Sequence, residues 1–416
     1  MSAAPGGHRR TVRVLVTSQV LGGVGVAGGI AVGGLLAEEV SGSTSLSGLP
    51  QTATVLGAAL LAVPMARLAV RSGRRVSLAA GYAAALAGAV LSVAAAVTDA
   101  FWLLLVGGLL FGGGTAANLQ ARYAATDDAP PARRARALSI VVWATTIGAV
   151  AGPNLIGLGG RLGRAIGVPA LAGPYLFSVL AFVVAGCVVF SMLARRPAAP
   201  TTDAGLPASG PTSRLSTVET LRIVVTEPRA RLGLVAIATA HAVMVGVMAM
   251  TPVHMGHGGA SLQVVGIVIS AHIAGMYAAS PVFGWLTDRA GRLPAIGLGL
   301  GLLLASLLLG AFGAAGDHAR LGVALTLLGL GWSCCLVAGS TLVSESVPET
   351  VRTSVQGSSD LVMGIAGASA GALAGPVLGL AGYPALTLGA SVLLVPVVVL
   401  ALLLLRSRYP LERSPV

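Results

Sequence analysis

Four of the six histidines (His241, His254, His257, His272) and five of the nine methionines (Met244, Met248, Met250, Met255, Met276) stand within one stretch of 36 residues. Thioether sulfur and neutral imidazole are uncharged ligands, and sulfur favours Cu(I) over hard cations, so such groups can hold a soft ion where a carboxylate is too costly to bury. Met244 and Met248 are four positions apart, as are His272 and Met276, so each pair leaves one face of a helix. Two such helices facing each other offer three sulfurs and one nitrogen. Methionines at this spacing are also ordinary core filler, and an organic-solute pocket would use the same surface. The histidine carries more weight, because an ionisable group within an apolar segment is a functional candidate by default. His254, Met255 and His257 follow at the end of the first segment beside Pro252, either as a route that captures an ion and passes it inward or as polar loop residues. Cys334 and Cys335 add two soft groups in another apolar segment, where cysteine commonly packs as a small hydrophobe. With Cys187 they show none of the even spacing of a disulfide framework.

Few charges stand inside the apolar segments. Asp360, in Gln356-Gly-Ser-Ser-Asp360, lies just within the start of one, where a carboxylate can carry protons or simply favour the positive end of a helix. Glu345 closes the segment before it. Asn118, Gln120 and Arg122 make a polar end to another, with Asp127, Asp128 or headgroups as partners for the arginine. No phosphate-binding glycine loop with its lysine, no H-E-x-x-H and no nucleophile elbow is present, so no enzyme and no bound cofactor is read here. Copper enters only as cargo.

The segments that position these residues are built for lipid. Hydrophobic residues make up 55% and charged residues 10% of the 416, and mean hydropathy is +0.88. A soluble domain carries about 25% charged residues and could not cover itself with so little polar surface. The net charge of +12 resides in 26 arginines and no lysine, clustered between apolar runs and forming no stripe for nucleic acid. The implied partner is the bilayer. A hydrocarbon core needs about 20 apolar residues per crossing. Twelve runs qualify: 12–36, 50–70, 76–98, 101–121, 137–160, 172–194, 231–254, 261–286, 294–315, 320–344, 356–380 and 384–406. The first resembles a signal peptide after His8, Arg9, Arg10 and Arg13, but it is too long and lacks a clear cleavage site, so it reads as a retained helix. With the N-terminus inside, 23 of the 26 arginines fall at the inner side and only Arg161, Arg164 and Arg320 outside. Short cytoplasmic loops hold the positive excess, so both termini are expected in the cytoplasm of a bacterial inner membrane protein. The stretch 195–230, with RRPAAPTTDAGLPASGPTSR, reads as a flexible linker between halves 1–194 and 231–416. A monomer is expected, since nothing encodes an oligomer.

The halves repeat, as in carriers whose repeat interface holds the substrate. Gly148-Ala-Val-Ala-Gly152-Pro153 in the fifth span returns as Gly371-Ala-Leu-Ala-Gly375-Pro376 in the eleventh, 223 positions on. Arg71-Ser-Gly73-Arg74-Arg75 after the second returns as Arg289-Ala-Gly291-Arg292 after the eighth, 218 positions on. Glycines so spaced let helices approach closely and proline interrupts the hydrogen-bond ladder, so Gly152, Pro153, Gly375 and Pro376 are expected to serve packing and hinge motion.

The segment Gly284-Trp-Leu-Thr-Asp288-Arg289-Ala-Gly291-Arg292 resembles the G-x-L-x-D-R-x-G-R loop of the major facilitator superfamily, and the resemblance covers essentially the whole chain. It implies an all-α membrane protein with twelve transmembrane helices in two six-helix pseudo-repeats, working as a secondary carrier by alternating access. Gly284, Asp288, Arg289, Gly291 and Arg292 would then contact neighbouring helix ends and set the conformational balance. The first-half copy has Ala66 at the glycine position and Val70 at the aspartate position, so only the second supplies a carboxylate. The Gly-Pro motif also resembles the pattern of proton-coupled drug antiporters. The pairing of M-x-x-x-M in the seventh span with H-x-x-x-M in the eighth, within VMAMTPVHMGHGGASLQVVGIVISAHIAGMYAASPVFGWLTDRAGR, resembles the bacterial CcoA-like copper importers. That resemblance implies copper uptake with Met244, Met248, His272 and Met276 as ligands. Related subgroups carry organic solutes such as riboflavin, so the alternative is a proton-coupled carrier of a small organic molecule, sensitive at Asp360.

Overall fold

The computed structural model describes residues 5–127, 134–193, 217–312, 316–348 and 351–408. Regular structure among them is entirely helical, as a lipid-embedded chain without a closed barrel requires, because a spanning segment must satisfy its own backbone. The first half holds α1 (Pro5–Ser41), a 3-10 turn (Thr44–Leu46), α2 (Leu49–Ser72), α3 (Arg74–Thr98), α4 (Phe101–Asp127), α5 (Arg134–Asn154), α6 (Ile156–Ala165) and α7 (Gly173–Met192). The second holds α8 (Thr217–Thr226), α9 (Pro228–His257), α10 (Leu262–Tyr277), α11 (Ser280–Ala290), α12 (Arg292–Ala311), α13 (His318–Glu345), α14 (Arg352–Val392) and α15 (Val395–Arg408).

Ten stretches of described residues are long and apolar enough to cross a bilayer. The last of them, Val355–Arg406, contains two crossings divided at Gly382, where φ is 79° and ψ 175°. A further crossing is α5 with α6, which gives the twelve read from the sequence. Three crossings expected as single helices are broken, the last of them between Val392, where α14 ends, and Val395, where α15 begins next to Pro396. α5 stops at Asn154, just after Pro153, and α6 restarts at Ile156. α10 ends at Tyr277 and α11 begins at Ser280 with Pro281 in its first turn. Proline lacks the N–H that would continue the ladder. Pro376 lies inside α14 without such a break.

The linker expectation is corrected in part. Residues 217–226 form α8, whose Thr220 and Val224 are wholly buried; Val224 packs in a cluster with Val343, Val347 and Val355. Their i, i+4 spacing gives the short helix one buried face. Residues 195–216 lie outside those described, as do Asp128 and the side chains of Arg122 and Asp127.

With twelve crossings, the start of α1 and the end of α15 fall at one end of the bundle, here the terminal end, together with the α2–α3 and α11–α12 turns. Those two turns have one backbone conformation: Gly73 has φ 86°, ψ 163°, and Gly291 has φ 96°, ψ 165°. A side chain disfavours that region, which accounts for glycine at both positions. In each half the first crossing packs on the fourth and fifth: α1 on α4 and α5, α9 on α13 and α14.

Candidate functional site

His272 is fully buried on α10, and its Nδ1 lies 2.7 Å from the carbonyl oxygen of Leu325 on α13. A carbonyl only accepts, so Nδ1 carries the proton of the neutral ring and Nε2 keeps a lone pair. That Nε2 is buried and makes no hydrogen bond. A metal-binding imidazole has this arrangement, with one nitrogen tied and the other open. Met276, one turn on, and Met244 are buried, while Met248 is half-buried.

The expectation of two facing helices is corrected, because α9 and α10 touch little and both pack on α13. On α9, Gly233 and Ile237 meet Gly339, and His241 meets Trp332. That face continues through Met244 and Met248, and in antiparallel register it reaches the level of Leu325 to Gly329. From its own side, α10 presses its backbone between His272 and Met276 so closely on Gly329 that no side chain fits there. α13 is thus the shared support of both pairs.

The other predicted residues separate into distinct places. His254 stacks on Tyr383, with ring centroids 4.2 Å apart and planes 4° from parallel. Met255 is fully buried, and His257 Nε2 lies 2.8 Å from Glu38 Oε1 in the other half. Cys334 and Cys335 turn toward α12: Cys334 Sγ lies 3.1 Å from the Ala295 carbonyl, and Cys335 Sγ crowds Gly299. Asp360 is exposed and is the ninth residue of α14. The helix starts earlier than its apolar pattern, so Asp360 is past the first turn in which helix-end charge acts, and that reading is corrected.

In the loop motif, Arg292 reaches Glu345 on α13 with two bonds, Nε to Oε2 at 2.9 Å and Nη2 to Oε1 at 2.6 Å. It also donates to the Thr287 carbonyl at 3.1 Å and lies 3.6 Å from Asp288. Arg289 stacks over Trp285 at 5.6 Å, and a Cβ at Gly284 would meet open space. In the first half, Arg74 Nη1 donates to Gln120 Oε1 at 2.8 Å.

At the end opposite the termini the halves are pressed together along two seams. In one, the 3-10 turn and α1 meet α9 and α14. A Cβ on Gly375 would stand 2.5 Å from the Ser45 carbonyl, and Gly48 abuts the Gly371 carbonyl too closely for any side chain. Thr52 donates to the Ala368 carbonyl at 3.0 Å, Ser47 Oγ meets Met250 Sδ at 3.7 Å, and Glu38, also bonded to Thr44, pairs with His257. In the other, α5 meets α10: Pro153 presents its carbonyl to Gly266, Asn154 donates to Ser270 at 2.7 Å, and Ser270 donates to the Val150 carbonyl at 2.9 Å. These hydrogen bonds join the two halves at this end. Gly152 instead packs within its own half, where a Cβ would stand 2.6 Å from the Val24 carbonyl.

Sequence reasoning counted His241 in its cluster without giving it a role and passed over Gln19. His241 Nδ1 lies 3.1 Å from Trp332 Nε1. Gln19, fully buried, donates to the Asn118 carbonyl at 3.1 Å and to Thr145 Oγ1 at 2.8 Å, while Tyr82 Oη lies 3.1 Å from Ser18 O and Asn118 Oδ1. Their signal was available, since Gln19 and His241 stand 222 positions apart, within the repeat offset.

The sequence profile of the Major Facilitator Superfamily matches residues 14–259 and 250–416. The chain is 41% identical over 400 residues to the uncharacterized MFS-type transporter YdeG of Bacillus subtilis (strain 168), covering 94% of this chain and 92% of that one. It is 29% identical to the riboflavin transporter RfnT of Brucella anthropi, over 90% of each. Among solved structures it is similar to a bacterial homolog of the human lysosomal transporter Spinster in an inward-facing, unoccupied conformation, with TM-score 0.75, 16% identity, and 97% of this chain and 98% of that one covered.

Proposed function

Because this chain belongs to the Major Facilitator Superfamily, we propose that it is an alternating-access carrier drawn with its external gate shut, and that its cargo is Cu(I). The arginine distribution supports the terminal end as cytoplasmic, which makes the two seams the external gate. Rocking of the halves would part both seams and expose the region between them. On this reading Arg292, held by Glu345 and Asp288, fixes the loop that joins α11 to α12 and so biases that motion.

The observation that supports copper is the open, buried Nε2 of His272, with Met276 one turn away and Met244 and Met248 on the α9 face that packs toward the same level of α13. A neutral set of three thioethers and one imidazole suits a soft monovalent ion and leaves no buried charge when empty. The test is Cu(I) binding by the purified protein in detergent beside His272→Ala, Met276→Ala, Met244→Ala and Met248→Ala. Near-stoichiometric binding that falls at least tenfold in His272→Ala is the expected outcome; equal binding by all five proteins would sink the assignment.

A second reading is favoured by the kinship with a riboflavin transporter and by an aromatic group of His241, Trp332 and the partly exposed Tyr277. It makes the cargo a small planar organic solute. Uptake of riboflavin that is insensitive to the four substitutions but lost in Asp360→Asn would replace copper with this cargo.

A further inference from the structure

His241 takes no part in the copper quartet. Its Nδ1 accepts a hydrogen bond from the indole N–H of Trp332, so Nδ1 must be unprotonated and the proton of the neutral ring sits on Nε2. The ring lies against Gly367 of α14, where a Cβ would come within 2.7 Å of Cδ2 and 2.9 Å of Nε2. Trp332 meets the edge of Tyr277 on α10, with centroids 6.0 Å apart. One imidazole thus ties α9 to α13 and rests on α14. Farther along α9, Ala249, Val253, Gly256 and His257 form part of the gate.

The matching position in the first half is Gln19, which links α1 to α4 and α5 through an amide that cannot titrate. The titratable groups on the elements packed around His241 are His272 and Tyr277 on α10; His318, Arg320, Cys334, Cys335 and Glu345 on α13; and Arg352, Asp360 and Tyr383 on α14, while the ring itself meets Trp332 and Gly367. His241 is therefore the group at this level whose charge state is mechanically tied to the packing of the gate helix.

We infer that His241 is the coupling-ion site of this carrier and that the ion is a proton. Protonating Nδ1 removes the acceptor that Trp332 needs, so the imidazolium and the closed gate compete. A ligand shifts a conformational equilibrium toward the state it binds better. The proton therefore favours the open gate, and the neutral ring the closed one. Losing about one hydrogen bond on one side corresponds to a shift of about two- to tenfold in the open population.

The inference stands apart from the copper quartet, and its test uses no substrate. Trp102, Trp143 and Trp285 are 77%, 64% and 59% exposed, so replacing them with Phe spares the core and leaves Trp332 as the single emitter. In the full chain in detergent, its fluorescence should change in one step on acidification. His241→Gln keeps an acceptor for the indole but cannot titrate, and should flatten the step. His257→Gln should leave the step in place. With the native cysteines replaced, Ser45→Cys in the gate seam should react two- to tenfold faster with a thiol reagent on acidification relative to an exposed reference cysteine labelled at the same pH, which corrects for the loss of thiolate, and His241→Gln should abolish that response. The same fluorescence step in His241→Gln, or an unchanged acid response of Ser45→Cys labelling, would overturn the inference.

Discussion

Replacing Gly375 with alanine puts the gate to a steric test that the repeated Gly-Pro motif makes specific. The new Cβ would stand 2.5 Å from the Ser45 carbonyl oxygen and 3.2 Å from the Gly48 nitrogen, both across the boundary between halves. Carbon and oxygen rest at about 3.3 Å, so the seam must retreat by about 0.8 Å, and both partners are backbone that cannot rotate aside. Overpacking of this kind costs about 1 to 3 kcal/mol, and it is felt only while the gate is shut. Alanine's better helix propensity applies to both states and cancels. A coupling of that size is a shift of about 5- to 150-fold toward the open gate. The assay is thiol labelling of Ser270→Cys in the other seam, which is buried while the halves meet and far along the boundary from Gly375. Gly371→Ala, one turn away, is tight against the Thr52 hydroxyl at 3.2 Å, a group that can rotate, with Val245 and Gln51 at ordinary contact distance, and should shift labelling little; Gly364→Ala meets nothing within 4 Å and should shift none. Gly152→Ala clashes at 2.6 Å inside the first half, so it should lower stability without moving the gate. Equal labelling of the Gly375→Ala, Gly364→Ala and parent proteins would refute the reasoning.

Gln120→Glu should turn the Arg74–Gln120 hydrogen bond into a charge-assisted one, as Glu345 provides for Arg292, raising thermal stability in detergent by about 0.2 to 1 kcal/mol, a gain that high salt erases. Cys334→Ala and Cys335→Ala should leave Cu(I) stoichiometry unchanged, because both sulfurs turn toward α12; loss of copper binding in either would bring them into the site.

The fold was legible because lipid permits so few solutions. Twelve apolar runs, arginine clusters at alternate ends and two motif copies were enough for number, order and repeat. The run pattern reports hydropathy and not the backbone ladder, which is why it passed over the breaks after Pro153 and before Ser280-Pro281. It also passed over α8, whose buried face of Thr220 and Val224 is too short to register as a period. At the site, spacing along one helix was readable: Met244 and Met248, and His272 and Met276, do share faces. Which helix stands between them was not, since that depends on contacts far apart in sequence, such as Leu325 with His272. His257 shows the same limit from the other side, because its soft-ligand chemistry was visible while its partner Glu38 lies 219 positions away.

The repeat itself explains why the chemistry is one-sided. Duplicated halves begin with equivalent positions, and the backbone keeps them equivalent, as Gly73 and Gly291 do with matching dihedral angles. At three matched positions the side chains differ in the same direction. Glu345 faces Gln120, Asp288 faces Val70, and His241 faces Gln19; each time the ionisable member is in the second half. A carrier gains from such a bias, because a proton or charge that acted equally on both halves would move neither against the other. Confined to one half, it would act on the contacts of α9, α11 and α13 and not on those of α1 to α7, a difference that the proposed rocking motion requires.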